Sequence, residues 1–155
     1  MERKTNVNAE DGKPDIIITR DFDLPVHLLF KAYTEPDLVA QWMGTKVVKL
    51  ENKAQGVYAF ETSDGQGNIL FKAHGIIHEV VTNQKIVRTF EMANAGFDVQ
   101  LEFLEFEALT PETSKLRMQT IFRSEAHRAK QLKMPFAYGI NMAHNRLQEI
   151  IKKLQ

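Results

Sequence analysis

The stretch PFAYGINMAHNRLQEIIKKL, residues 135–154, decides the fold. Within it Phe136, Ile140, Ala143, Leu147, Ile150 and Leu154 recur at spacings of three and four, an apolar stripe along one face of a helix. Pro135 suits the first turn, where its missing N–H is not needed, and Lys152 and Lys153 stand at the negative end of the helix dipole. Gly139 lies beside the stripe and is expected to let the helix approach a sheet closely. Such a helix must bury its stripe against another surface, and the residues before it supply one.

From Lys46 to Phe122 the hydrophobic period is two. Val47–Glu51, Val57–Thr62, Ile69–Val81, Ile86–Met92, Phe97–Leu109 and Lys115–Phe122 read as strands. Asp64-Gly65-Gln66-Gly67-Asn68, Thr82-Asn83-Gln84, Asn94-Ala95-Gly96 and Thr110-Pro111-Glu112 carry turn chemistry between them. Connections this short imply an antiparallel meander. Upstream, Asp15–Arg20 reads as a first strand, and Asp23 and Pro25 as the start of a helix carrying Val26, Leu29, Phe30 and Tyr33. Thr34-Glu35-Pro36-Asp37 caps a second short helix with Leu38, Val39 and Trp42, which Gly44 ends. Ser124–Met134 reads as a short helical lead into the last helix. Residues 1–14 are expected to be a flexible tail, and 15–155 a single domain.

The expected fold is therefore α+β: a curved antiparallel sheet of about seven strands, the first and the six that follow the two short helices, wrapped around a long C-terminal helix in a helix-grip arrangement. Alternation assigns faces. Phe71, Ala73, Gly75 and Ile77 share one side, against Lys72, His74 and His78. Leu116, Met118, Thr120 and Phe122 oppose Arg117 and Gln119. Val99, Leu101 and Phe103 are in phase and then give way to Leu104, Phe106 and Ala108, a slip that predicts a bulge there.

Composition narrows the function classes. Twenty basic and twenty acidic residues cancel, which removes the electrostatic case for nucleic acid or an anionic membrane surface. The absence of cysteine excludes disulfides, thiolate nucleophiles and cysteine-ligated metal, and fits a cytoplasmic location. No apolar run approaches the length of a membrane span. His74 and His78 lie roughly 13 Å apart along a strand, too far for one metal. No metal or cofactor is expected. His27, His127 and His144 read as surface residues, and no serine nucleophile pattern or acid–base pair stands out.

The order strand, two short helices, six strands and long helix resembles the START-like superfamily (SRPBCC). A closer resemblance, to the family of activators of heat-shock-protein ATPase homologues, is carried by Val26–Phe30, Ala32-Tyr-Thr-Glu-Pro-Asp-Leu38 and Gln41-Trp42-Met-Gly44. Further on it is carried by Gly56 with Tyr58 and Phe60, Gly75 before His78-Glu-Val80, Ile86-Val-Arg-Thr-Phe90, and Gly139 with Leu147. Gln55 stands where the family often has the first of two glycines, and Ile140 where it often has tryptophan. The resemblance implies a helix-grip fold whose interior can hold a small molecule, and its name implies a chaperone ATPase partner.

Aromatic and aliphatic side chains supply the candidate site: Trp42, Tyr58, Phe60, Phe71, Phe90, Phe103, Met118, Phe136 and Ile140 are expected between sheet and helix. They either fill a core or line a cavity for a hydrophobic or amphipathic small molecule. Arg88 breaks the apolar pattern of Ile86, Phe90 and Met92, so its partner is either an anionic ligand group or an acid on a neighbouring strand. Tyr58 and Thr120 are further polar handles. Tyr138 and Met142, an exposed i,i+4 pair, are candidates for a homodimer contact. Three functions remain open: a binding protein without chemistry, a cyclase- or hydrolase-type enzyme, and a chaperone-contacting module. An enzyme requires an acid or histidine inside the pocket, and the alternation places none there.

Overall fold

The computed structural model describes residues 3–93, 98–133 and 135–155. Eight strands form one antiparallel sheet: β1 (Asn6–Asn8), β2 (Asp15–Phe22), β3 (Lys46–Leu50), β4 (Val57–Ser63), β5 (Ile69–Val81), β6 (Lys85–Met92), β7 (Gln100–Thr110) and β8 (Thr113–Ile121). Their order across the sheet is β1-β2-β8-β7-β6-β5-β4-β3. Helices α1 (Val26–Thr34) and α2 (Pro36–Met43) follow β2, and α3 (Glu125–Lys133) and α4 (Phe136–Lys152) follow β8. The expected turn at Asn94–Gly96 and strand start at Phe97 lie outside the described residues. Among the described residues no helix is long and apolar enough to cross a membrane.

The segment expected to be a flexible tail instead contributes β1, which pairs with β2 through Val7 opposite Ile18. Thr5 anchors it further: its N–H donates to Asn141 Oδ1 at 2.9 Å, tying the segment to α4. The first helix begins without the expected Asp23 cap. Pro25 occupies the cap position, its carbonyl accepting the Leu28 and Leu29 N–H groups. Asp23 instead pairs with Arg3 at 3.0 Å, and its N–H donates to Gln148 Oε1 on α4. Gly44 ends α2 with φ of 62°, a left-handed position that suits glycine.

On β2, Ile16, Ile18, Arg20 and Phe22 are buried and their neighbours are not, so the strand alternates as its sequence does. The main core joins Ile16, Ile18 and Phe22 to Leu29 and Phe30 of α1, Trp42 of α2, Leu104 and Phe106 of β7, and Leu147 and Ile151 of α4. The buried line of α4 runs through His144, Leu147 and Ile151, with Phe136, Ile140 and Ala143 partly buried beside it. Leu154, expected in the stripe, is exposed. A Cβ on Gly139 would meet no atom within 4 Å, so this glycine does not serve a close helix–sheet approach.

The slip expected between Phe103 and Leu104 does not occur. Between Ala108 and the start of β7 the register against both neighbours is regular. Gln100, Glu102, Leu104 and Phe106 are buried in one unbroken phase, which turns Phe103 to the opposite face. A bulge does interrupt β5, between Ile77 and Glu79. There His78 is the extra residue, and the inward phase passes from Ala73, Gly75 and Ile77 to Val80.

Candidate functional site

The antiparallel register aligns one residue from each of five strands in a row across the concave face: Ile77, Arg88, Glu102, Thr120 and Ile16. The next row, Val80, Ile86, Leu104, Met118 and Ile18, is entirely apolar. A polar triplet on β6, β7 and β8 thus lies against an apolar row, under α2 and α4.

A cavity of about 210 Å³ opens over this triplet. Arg88, Glu102, Thr120 and Gln100 supply polar groups to its wall, as does Tyr33 of α1. Trp42 and Met43 of α2, Phe60, Phe90, Met118, and Phe136, Ile140 and Ala143 of α4 supply most of the apolar wall. Eight of the eleven expected site residues therefore meet at one space: Trp42, Phe60, Arg88, Phe90, Met118, Thr120, Phe136 and Ile140.

Three expected residues do not line it. Phe103 faces away because β7 keeps one phase from Gln100 to Phe106, with regular register as far as Ala108. Phe71 lies near the outer end of β5 and is 40% exposed, beyond the reach of the helices. Tyr58 is buried one layer deeper: its hydroxyl donates to the Thr89 carbonyl, and the Arg88 guanidinium carbon lies 5.1 Å above its ring. Gly75, opposite Tyr58 in the register, makes room for that ring, since a Cβ there would come within 2.7 Å of Tyr58 Cε1 and 2.0 Å of the Thr89 oxygen.

Arg88 finds its partner within the protein. Its Nε donates to Glu102 Oε1 at 2.9 Å, and both side chains are about nine-tenths buried. Burial opposes the Arg88 charge, but the Tyr58 oxygen and the Glu102 carboxylate outweigh it and raise the pKa above the ordinary value. Glu102 is the inward acid that alternation did not reveal. The signal was available: an inward arginine on β6 calls for an acid on the adjacent strand, and Glu102 stands directly opposite.

A second buried polar group lies behind the cavity wall. His144, expected at the surface, is fully buried, with Nδ1 2.8 Å from Thr5 Oγ1 and Nε2 3.3 Å from the Tyr33 hydroxyl. Phe22 meets its ring edge-on and Trp42 tilts against it. Burial first, then the charge of Arg20, pushes His144 down to about 3. Burial likewise raises the Tyr33 hydroxyl above its ordinary value, which keeps it neutral at the cavity wall.

His74 pairs with Glu91 at 3.0 Å on the exposed face, and His78 is exposed at the bulge. Among the described residues no group of three His, Asp or Glu is placed to hold a metal. Tyr138 and Met142 are both exposed on α4.

Comparison with known proteins places this geometry. The family model for Activator of Hsp90 ATPase homolog 1-like protein matches residues 23–152. The crystal structure of a Mycobacterium smegmatis protein superposes with a TM-score of 0.83 at 16% identity, over 94% of this chain and 95% of that one. The solution structure of an Arthrobacter aurescens protein gives 0.86 at 14% identity, over 96% and 91%. A Nitrosomonas europaea protein gives 0.79 at 19% identity, over 96% and 100%. These likenesses establish the START-like fold. A search of the curated proteins finds no match.

Proposed function

The chain belongs to the Activator of Hsp90 ATPase homolog 1-like family, and from that premise we propose that it binds a small amphipathic molecule between the sheet and α4. The observation that carries this reading is the cavity itself. It is walled mainly by aromatic and aliphatic side chains, with a few convergent polar groups on one side, the composition typical of small-molecule sites. A filled core would have left Arg88 and Glu102 no open space to face.

The inward Glu102 also supplies the one feature that a cyclase or hydrolase reading requires. Binding is favoured because that carboxylate is paired with Arg88, and among the described residues no second acid or histidine lines the cavity.

Native mass spectrometry of the purified protein tests the proposal. The expected result is a co-purified small molecule that is lost on denaturation and absent from an Ala143→Trp variant, whose indole fills the space. A ligand retained equally by that folded variant would place binding elsewhere. A ligand chemically altered on incubation would favour the enzyme reading.

A further inference from the structure

We infer that the ligand's polar end is an uncharged donor–acceptor group of the carboxamide kind, carried on a body about the size of a substituted benzene ring. This rests on the pocket reading above and names the class of molecule that the pocket takes.

The first observation is charge. Arg88 and Glu102 neutralise each other at 2.9 Å, so the wall presents no net charge despite its two ions. A carboxylate entering the cavity would gain Arg88 but meet Glu102, and would give up its hydration as well. An ammonium would meet the opposite mismatch. A neutral head suffers neither.

The second observation is valence. Among the described residues Arg88 hydrogen-bonds through Nε alone, which leaves its two terminal amino groups without an acceptor. Glu102 Oε2, the Gln100 amide and the Thr120 hydroxyl likewise have no hydrogen-bond partner there. All four residues are more than nine-tenths buried and line the cavity. These atoms open on the cavity, so an occupant that displaces water from it must accept from the guanidinium and donate to the carboxylate from one compact group, or leave them unpaired at a cost. A carboxamide does both: its oxygen accepts from Arg88 and its NH₂ donates to Glu102 Oε2.

The third observation is size. An apolar cavity of about 150 Å³ accommodates benzene, and this one measures about 210 Å³. Trp42, Phe60, Phe90 and Phe136 offer ring faces and edges to an aromatic body. Sterols and long acyl chains are too large for this space.

Trp42 is the sole tryptophan and lines the cavity, so its fluorescence reports occupancy. The probes are 4-ethylbenzamide, 4-ethylbenzoate and 4-ethyltoluene, titrated at about pH 8, where the benzoate is ionised. The amide should bind at least about tenfold more tightly than either relative, because a site with open donors and acceptors rejects analogues that leave them unpaired. In Glu102→Gln the acid is gone and Arg88 stands uncompensated, so benzoate should overtake the amide. If the intact protein binds benzoate as tightly as the amide, or all three alike, the inference is wrong while the pocket reading stands. If none of the three binds, the pocket reading falls and takes the inference with it. Should Glu102→Gln not fold, the ranking in the intact protein decides.

Discussion

Replacing Glu102 with leucine leaves a guanidinium buried without its counter-ion. The pair is separated by 2.9 Å, with side chains 10% and 8% exposed. Coulomb attraction at that distance is about 6 kcal/mol for an effective dielectric of about 20. Desolvation offsets much of this in the intact protein, so the pair's net contribution is small, but removing one partner exposes the whole imbalance. Glu102→Leu should therefore lose about 3 kcal/mol, and Arg88→Met a similar amount, each read from urea denaturation. For a domain of this size that is a fall in Tm of about 6–12 °C. The double variant, which places two apolar side chains beside the apolar row of Ile86 and Leu104, should recover most of the loss. The cycle should return a coupling energy of about 3 kcal/mol or more. Additive losses would show that the two side chains do not act as a pair, and the account of the polar row would be refuted.

Gly75→Ala should destabilise by about 1–3 kcal/mol through overpacking, since its Cβ would press on the Thr89 carbonyl and the Tyr58 ring; an unchanged Tm would contradict the close approach. Gly139→Ala should do the reverse, raising stability by about 0.5–1 kcal/mol in thermal melts, because nothing lies within 4 Å of the new methyl and alanine favours the helix. His144 is held neutral with a folded pKa of about 3 against an ordinary 6.5, so the unfolded chain binds the proton first and stability falls as pH drops through that window. Arg20 on β2 reinforces this, while Thr5 and Tyr33 offer only neutral contacts. The slope attributable to the residue is up to about 1.4 kcal/mol per pH unit, and it should be absent from a His144→Gln variant and so appear as the difference between the two proteins; identical pH dependence of the two would contradict the assignment.

Much of the fold was legible because local rules and tertiary packing agree over most of the chain. The alternation of Ile16, Ile18 and Phe22 on β2, the breaks at Gly44 and Asp64, and the long final helix all encode what the structure adopts. Asp64 Oδ1, for example, accepts the N–H groups of Gln66 and Asn68 and so closes the expected turn. Legibility failed where a polar residue takes an inward position. On β7 the apolar Leu101 and Phe103 lie opposite Gln100 and Glu102, so hydrophobicity points to the wrong face, and only the pairing with Arg88 explains the inversion. On α4 the series Ile140, His144, Leu147 and Ile151 fits helical spacing as well as the stripe read from the sequence. The histidine in that series reads as a surface residue because its partners, Thr5 and Tyr33, are more than a hundred residues away in sequence. The N-terminal strand was missed for a related reason: Val7 is its only apolar residue, and its order comes from β2 and α4.

The most direct test of the central claim is a methyl NMR titration of isoleucine- and methionine-labelled protein with 4-ethylbenzamide. The account predicts saturable shifts at Ile16, Met43, Met118 and Ile140, the labelled side chains that line the cavity, and none at exposed Ile69 or Ile76. Unmoved resonances at saturating amide, or shifts confined to the exposed residues, would contradict it.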